Sequence, residues 1–195
     1  MCGIFGIIND NNNQAATSVL EGLKKLEYRG YDSWGISIIS ETEIKIDKHI
    51  GKIGEAKTNL PVGLIALGHT RWATHGGVTD NNAHPHLDCT KKIAVIHNGI
   101  VENYQGIKED LLKKGHQFIS ETDTEVIAQL IGKFLDDGLT LPEAVKSSLQ
   151  KLEGTWGLAV LSPLMPDTII AARNGSPIVI GLAPGKAFIA SEPAA

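Results

Sequence analysis

The stretch CGIFGII at residues 2–8, almost at the start of the chain, decides the fold. Residues 3–8 form a short apolar run of the length of one strand, and such a run predicts a buried strand. A buried strand at this position fixes the beginning of the chain inside the protein. We therefore expect Cys2 to be held rigidly where that strand begins.

The segments that follow this strand predict a helix and then a region rich in sheet. Within residues 14–28 the apolar positions recur at helical spacing, and Gly30 is suited to end the helix. Four segments then have the composition of strands, and the second, which is more polar, is expected at a sheet edge: residues 34–39, 43–48, 62–68 and 91–96.

Capping patterns predict two helices beyond the middle strands. Thr122-x-x-Glu125 and Thr140-x-x-Glu143 each have the capping-box pattern, and each precedes an apolar stripe at helical spacing. A weaker helical pattern covers residues 102–114. The sequence thus predicts three helices between the middle strands and the end of the chain.

The last part of the chain, after Gly154, predicts a meander of short strands. Pro- and Gly-rich turns separate four apolar segments, which are residues 156–161, 168–172, 177–181 and 187–190. Strands, then helices, then more strands indicate the α+β class, with layered sheets and helices on their faces rather than a strict alternation of strand and helix.

Length and charge restrict the classes of function. The chain has 195 residues, enough for one domain, and its net charge of −4 provides no basic surface for nucleic acid or an anionic membrane. It lacks a secretory signal and a long apolar span, so we expect a soluble, cytoplasmic protein without a membrane partner. Its two cysteines, Cys2 and Cys89, do not form a disulfide framework.

Cys2 is a candidate nucleophile because of its position. An isolated cysteine is more often a small buried apolar residue. Removal of Met1 before this small residue would leave a thiol and a free α-amine on one residue. An α-amine has a reference pKa of about 7.7 to 8.0, so it can take a proton from the thiol near neutral pH and later return one to a leaving group.

Five separated motifs carry a resemblance to a known family. The chain resembles the glutaminase domain of the glutamine-fructose-6-phosphate aminotransferases, which are class II glutamine amidotransferases with an N-terminal nucleophile. The resemblance implies an N-terminal nucleophile hydrolase fold, a four-layer αββα sandwich with two antiparallel sheets. The motifs occur in the family's order and are CGIFG at residues 2–6, YRGYDS at 28–33, HTRWATHG at 69–76, HNGI at 97–100 and SETDTE at 120–125.

The pair Asn98-Gly99 is the candidate oxyanion hole. Attack of a thiolate on a carboxamide creates an oxyanion that needs fixed hydrogen-bond donors. The pair follows the apolar run at residues 93–96, which places an amide side chain and an unobstructed N–H at a strand end. The resemblance implies that the Asn98 side chain and the Gly99 N–H stabilise the oxyanion, whereas an isolated Asn-Gly pair is more often an ordinary turn.

Free glutamine also carries an α-carboxylate and an α-ammonium group, so a selective site needs a fixed cation and a fixed anion. Arginine suits the first role because its planar paired donors match a carboxylate. The resemblance implies that Arg71 binds the α-carboxylate and that Asp123 binds the α-amine. It also places Trp72, Thr74 and His75 along the site. Asp123 has a structural alternative, since an acidic residue is favoured in the first turn of a helix.

Arg29 and Asp32 are expected to support the site structurally, as part of a charged turn after the first helix. A metal site at His84 and His86, with Cys89 nearby, is disfavoured because the intervening proline and the Asn-rich run before them indicate a loop. No metal and no cofactor are therefore expected.

The resemblance also implies what lies around this domain. Residues 1–195 correspond to a glutaminase domain shortened at its C-terminal end, without the sugar-isomerase domains of the full-length enzyme, which is expected to be a homodimer. The resemblance implies that Cys2 hydrolyses L-glutamine to L-glutamate and ammonia, and that in the full-length enzyme this ammonia is used to convert fructose-6-phosphate to glucosamine-6-phosphate. Two alternatives remain, namely the glutaminase domain of another class II amidotransferase and a non-catalytic glutamine-binding module. Trp34 departs from the family pattern, which has a small residue there.

Overall fold

The computed structural model describes residues 2–9 and 14–195, and across these residues the chain forms two antiparallel sheets and four α-helices. Met1, whose removal the sequence-based mechanism requires, lies outside the described residues. In chain order the elements are β1 (Gly3–Asn9), α1 (Ala15–Leu26), β2 (Ser33–Ser40), β3 (Glu43–Ile50), β4 (Ile65–Arg71), β5 (His86–Leu87), β6 (Ala94–Val101), α2 (Tyr104–Lys113), α3 (Thr124–Asp136), α4 (Leu141–Leu149), β7 (Gly154–Leu161), β8 (Ile169–Asn174), β9 (Val179–Ala183) and β10 (Lys186–Ala190).

The strand order places the start of the chain inside the first sheet. That sheet has the order β3-β2-β4-β1-β10-β9, so β1 has hydrogen-bonded neighbours on both sides. The second sheet has the order β5-β6-β7-β8. The expected inner strand at the beginning of the chain is confirmed, and so is the edge position of the polar strand β3.

An apolar layer joins the two sheets face to face. Ile4 and Leu67 of the first sheet are fully buried in one cluster with Ile96 and Leu161 of the second. Alternate residues of each strand point into this layer, as the period of two in a strand requires. The residues between them point outward to the helices.

Helices cover the outer faces of both sheets. Val19 and Leu23 of α1 share a buried cluster with Phe5 of the first sheet, while Ile127 and Ile131 of α3 are buried against the second sheet. Burial of such side chains contributes about 1.5–3 kcal/mol each. The layers are therefore helix, sheet, sheet and helix, which confirms the predicted α+β class and the four-layer αββα sandwich.

The predicted C-terminal meander is wrong. β8 pairs with β7 in the second sheet, but β9 pairs with β10, and β10 pairs with β1 in the first sheet. The chain therefore crosses between sheets after β8. Short apolar strands have the same local pattern whichever sheet they join, so their partners depend on contacts distant in sequence. The region around His86, expected to be a loop, forms the two-residue strand β5 beside β6.

One of the two predicted capping boxes forms. Thr140 and Glu143 make both reciprocal hydrogen bonds at the start of α4, as predicted. Thr122 accepts the N–H of Glu125 at 3.4 Å, but the Glu125 carboxylate accepts from the N–H groups of residues 119–120 instead of that of Thr122. The box at Thr122 and Glu125 is therefore incomplete, because the Glu125 carboxylate binds the loop that precedes α3.

Candidate active site

A cavity of about 260 Å³ lies where β1 begins, between the two sheets and the loop that follows β4. Of the ten side chains that the sequence singled out for the site, all but Asp32 line it. The predicted lining residues are Cys2, Arg29, Arg71, Trp72, Thr74, His75, Asn98, Gly99 and Asp123. The fold therefore brings together residues from all five motifs.

Hydrogen bonds hold Cys2 at one wall of this cavity. The Trp72 N–H donates to Sγ of Cys2 at 3.2 Å. The Cys2 carbonyl oxygen accepts from Nε of Arg29 at 3.2 Å and from Nδ2 of Asn98 at 3.0 Å. Both the thiol and the backbone of this residue are thus oriented by neighbours from other parts of the chain.

The turn after α1 brings the end of β4 close to Cys2. A Cβ at Gly30 would lie 2.7 Å from the carbonyl carbon of Arg71 and 2.9 Å from the nitrogen of Trp72, so only glycine permits this approach. Asp32 accepts the N–H of Ala73 at 2.9 Å. The motif that contains Arg29 and Asp32 therefore fixes the backbone that donates to the thiol.

Asn98 and Gly99 lie inside a strand, so their expected position at a strand end is wrong. β6 continues to Val101, and Gly99 is paired with Trp156 of β7. Gly99 has a φ of +138°, and a Cβ there would lie 2.1 Å from the carbonyl oxygen of Thr155. Only glycine fits this backbone, and the ordinary Asn-Gly turn does not form.

Arg71 is a buried cation at the cavity. Its Nη1 donates to the Gly77 carbonyl at 3.1 Å, and its Nη2 donates to the carbonyl oxygens of His75 and Gly76. Burial lowers the Arg71 pKa, opposed by the charges of Cys2 and nearby carboxylates. Among the described residues, no carboxylate lies within 4.0 Å of this guanidinium. A buried cation without an ion-pair partner suits an anionic ligand.

Asp123 is a buried residue that lines the same cavity, directly before α3. Its Oδ2 accepts the N–H of Val101 at 2.8 Å. This bond positions the carboxylate from β6, and Oδ1 accepts no hydrogen bond from the described residues. Asp123 makes no side-chain hydrogen bond to the start of α3, so its structural contact is with β6 and not with the helix, and one carboxylate oxygen remains for a ligand.

The Cys2 thiol has a higher pKa than the thiol of an ordinary cysteine. Burial raises the pKa of Cys2, and the Trp72 N–H and the charges of Arg71 and Arg29 offset part of this effect. Near neutral pH the side chain is therefore mainly a thiol. Attack on a substrate then requires a base beside the sulfur.

Four buried histidines lie at or next to the cavity, and two of them, His84 and His97, line it. His69 stacks on His84 with ring centroids 4.0 Å apart, and His84 contacts His86 edge to face. Burial lowers the pKa of His69 to about 3, and it lowers those of His84, His86 and His97. All four rings are therefore neutral at physiological pH.

These histidines predict that acid unfolds the protein. Each folded-state pKa lies below the unfolded value of about 6.5, so the unfolded chain binds more protons once the pH falls below that value. The stabilisation is complete above about pH 6.5 and is lost as the pH falls, by about 1.4 kcal/mol per pH unit for each histidine. The urea midpoint should fall sharply between pH 7.5 and 5.5. His84→Gln should show a weaker pH dependence, and a pH-independent midpoint would contradict this assignment.

His84 and His86, the two histidines considered as metal ligands, make hydrogen bonds to protein groups. Nδ1 of His84 accepts the N–H of His97 at 3.3 Å, and Nε2 of His86 lies 3.0 Å from Oγ1 of Thr122. Within residues 2–9 and 14–195, no group of three or more His, Cys, Asp or Glu side chains could hold a metal ion. Trp34, the departure from the family pattern, is buried on the α1 side and stacks on His49.

A larger cavity lies elsewhere, between α1 and the strands β9 and β10. It measures about 710 Å³ and is lined mainly by apolar groups, without a cysteine or histidine. Its size does not make it the reactive site. The smaller cavity holds the thiol, the buried cation and the carboxylate.

The αββα sandwich of antiparallel sheets, with a cysteine immediately before its inner strand, is an N-terminal nucleophile hydrolase fold. A solved glutamine phosphoribosylpyrophosphate amidotransferase from B. subtilis is similar, with a TM-score of 0.81, 28% sequence identity, and coverage of 97% of this chain and 42% of that chain. Residues 69–195 match the family model described as glutamine amidotransferase domain. The chain belongs to the glutamine amidotransferase domain family.

Several curated relatives with higher identity share one name. The chain is 47% identical to the glutamine–fructose-6-phosphate aminotransferase (isomerizing) of Methanococcus maripaludis and 50% identical to that of Pyrococcus horikoshii, with 98% of the chain covered in both cases. The matches cover 33% and 32% of those proteins. The chain thus spans about a third of the length of the curated relatives it matches. Within the described residues, no helix has the length and apolar character needed to cross a membrane.

Proposed function

We propose that this chain hydrolyses L-glutamine to L-glutamate and ammonia, with Cys2 as the nucleophile after Met1 is removed. The observation that carries the proposal is the position of the Cys2 thiol, held by the Trp72 N–H in a cavity that also contains Asn98, Gly99 and Arg71. Membership of the glutamine amidotransferase domain family supports glutamine as the amide substrate.

The raised pKa of the Cys2 thiol defines the first step of the proposed reaction. The α-amine of processed Cys2 takes the thiol proton, and the thiolate sulfur bonds to the δ-carbon of glutamine. The carbonyl π-electrons move to oxygen. When the tetrahedral intermediate collapses, the C–N bond breaks and the ammonium returns the proton to the departing nitrogen, which leaves as ammonia. Water then cleaves the glutamyl thioester, which releases glutamate and restores the thiol.

Asn98 and Gly99 supply the proposed oxyanion hole. Nδ2 of Asn98 lies 3.0 Å from the Cys2 carbonyl, so the amide donor faces the residue whose thiol attacks. Gly99 has no side chain, so nothing on this residue blocks the approach of a substrate oxygen to its backbone N–H. Fixed donors of this kind need no reorganisation when the oxyanion forms, which is why they lower the barrier.

Arg71 and Asp123 select the free amino acid in this proposal. Arg71 has no ion-pair partner among the described residues, so a substrate α-carboxylate would supply the missing negative charge. Asp123 would bind the α-ammonium group through the oxygen that Val101 leaves available. Trp72, Thr74 and His75 also line the cavity. Arg29 and Asp32 support the site by hydrogen bonds to the backbone near the thiol.

The variant Arg71→Lys should raise the KM for glutamine about 10- to 100-fold, because lysine cannot reproduce the paired donors that bind a carboxylate. Initial rates of ammonia release over a range of glutamine concentrations measure this effect. Arg173→Lys is the matched control, since Arg173 is exposed on β8 outside the cavity, and its KM should not change. A wild-type KM in Arg71→Lys would remove Arg71 from carboxylate binding.

We also propose that the chain is the glutaminase domain of a glutamine-fructose-6-phosphate aminotransferase. The higher identity to proteins of that name, 47–50% against 28% for the B. subtilis phosphoribosylpyrophosphate amidotransferase, supports this over the other class II acceptors. In this proposal a sugar-isomerase domain of a longer, dimeric, cytoplasmic enzyme uses the ammonia to convert fructose-6-phosphate to glucosamine-6-phosphate.

The test of the glutaminase activity is ammonia release from L-glutamine by protein without Met1, with L-asparagine and D-glutamine as comparison substrates. Release from L-glutamine well above both comparison substrates supports the proposal, because the site would then recognise chain length and α-carbon configuration. A folded, processed protein that binds glutamine without releasing ammonia would instead indicate the binding-module alternative.

A further inference from the structure

Two polar side chains face each other across the layer between the sheets, and one of them, Asn98, lines the cavity. On β4 the inward-facing residues Ile65 and Leu67 are followed by His69, and on β6 the inward-facing Ile96 is followed by Asn98. His69 is fully buried and Asn98 is nearly so. The apolar layer therefore becomes polar only where it approaches Cys2.

The hydrogen bonds of His69 fix where its proton lies. Nε2 of His69 is 3.1 Å from the backbone carbonyl oxygen of His97 and 2.9 Å from Oδ1 of Asn98. A backbone carbonyl can only accept, so Nε2 carries the proton. The Asn98 atom facing that N–H must then also be an acceptor, which directs Oδ1 toward His69 and Nδ2 toward Cys2.

The surroundings hold the ring in this tautomer. Burial lowers the pKa of His69 to about 3, so the ring carries one proton at neutral pH. The ring stacks on His84 at an interplanar angle of 16°, which restricts its rotation. Nδ1 is buried and has no hydrogen-bond partner among the described residues. An unpaired buried acceptor destabilises the fold, so stability alone does not account for histidine here.

We propose that His69 is a positioning residue that holds the Asn98 amide in the orientation needed for an oxyanion hole. The inference rests on the proposed glutaminase function. Without the Nε2–H donor, the Asn98 amide can rotate by half a turn and present its oxygen to the developing oxyanion. In that orientation the amide oxygen, which carries a partial negative charge, faces the negative oxyanion. The amide N–H that should stabilise the intermediate then points away from it.

Two amide substitutions separate this role from a general effect on packing. In His69→Gln the side-chain nitrogen can reach the place of Nε2, whereas in His69→Asn it stands near the place of Nδ1 and cannot reach Asn98. We expect the kcat for glutamine to fall at least about tenfold in His69→Asn, within the limit of about 10²–10³ for loss of the whole donor. KM should change little, and His69→Gln should recover most of the rate. His69→Phe is a second variant without the donor, should His69→Asn fail to fold.

A double-mutant cycle with Asn98→Ala gives the decisive readout. If His69 acts through Asn98, His69→Asn should lower kcat in the wild-type background and have no further effect in the Asn98→Ala background. Equal losses in both backgrounds, or an unchanged kcat in the folded single variant, would overturn the inference while leaving the glutaminase function intact. A processed wild type that releases no ammonia would overturn the proposed function and this inference with it.

Discussion

Replacement of Cys2 by alanine should lower ammonia release from glutamine by about 10⁴-fold or more, the scale seen when an enzyme loses its nucleophile. Cys2→Ala retains a small residue at position 2, so Met1 removal and the α-amine are preserved. Only the sulfur is lost. Because the backbone N–H and carbonyl of residue 2 remain, the site should otherwise keep its structure.

Cys89→Ala is the matched control for that result. Cys89 is an exposed free cysteine whose sulfur interacts with Gln117 and Gln129, outside the cavity. Its replacement should leave turnover unchanged. If Cys2→Ala still released ammonia within tenfold of the wild-type rate, the nucleophile would have to be another group.

The variant Asn98→Ala should lower kcat by about 10²–10³, since it removes the donor nearest to Cys2. KM should change less than kcat, because the donor acts mainly on charge that develops in the transition state. Steady-state rates on processed protein measure both constants. Asn174→Ala is the control, since this asparagine is an exposed residue of β8 that bonds to the Gly154 carbonyl. Unchanged kcat in Asn98→Ala would exclude Asn98 from the oxyanion hole.

Local patterns in the sequence were sufficient to predict most of the elements. The apolar run at residues 3–8 predicted β1, and the stripe after Glu125 predicted α3, because burial on a face imposes a period that is visible in the residues themselves. The crossing of the chain between β8 and β9 could not be predicted in this way. It depends on which distant strand β10 pairs with, and no pattern within either strand records that partner.

The site followed the same division. The position of Cys2 at the start of a buried inner strand could be predicted from the apolar run that follows it. The local pattern at Gly99 favoured a turn, and its place in the cavity was expected only from the family resemblance. The role proposed for His69 could not be inferred until the register of β4 placed it on the inward face, opposite Ile4 in β1 and near Asn98 in the other sheet. Three neighbouring elements define that environment, so the histidine had no distinctive signal of its own.

The most direct test of the N-terminal thiol mechanism compares processing with activity in the same samples. Protein should be prepared with different fractions of Met1 removed, with the fraction measured by intact mass and ammonia release from glutamine measured in parallel. Turnover is expected to be proportional to the processed fraction and to extrapolate to zero for protein that retains Met1. Equal turnover in samples with Met1 retained would contradict the account, since the α-amine of Cys2 could not then be the base.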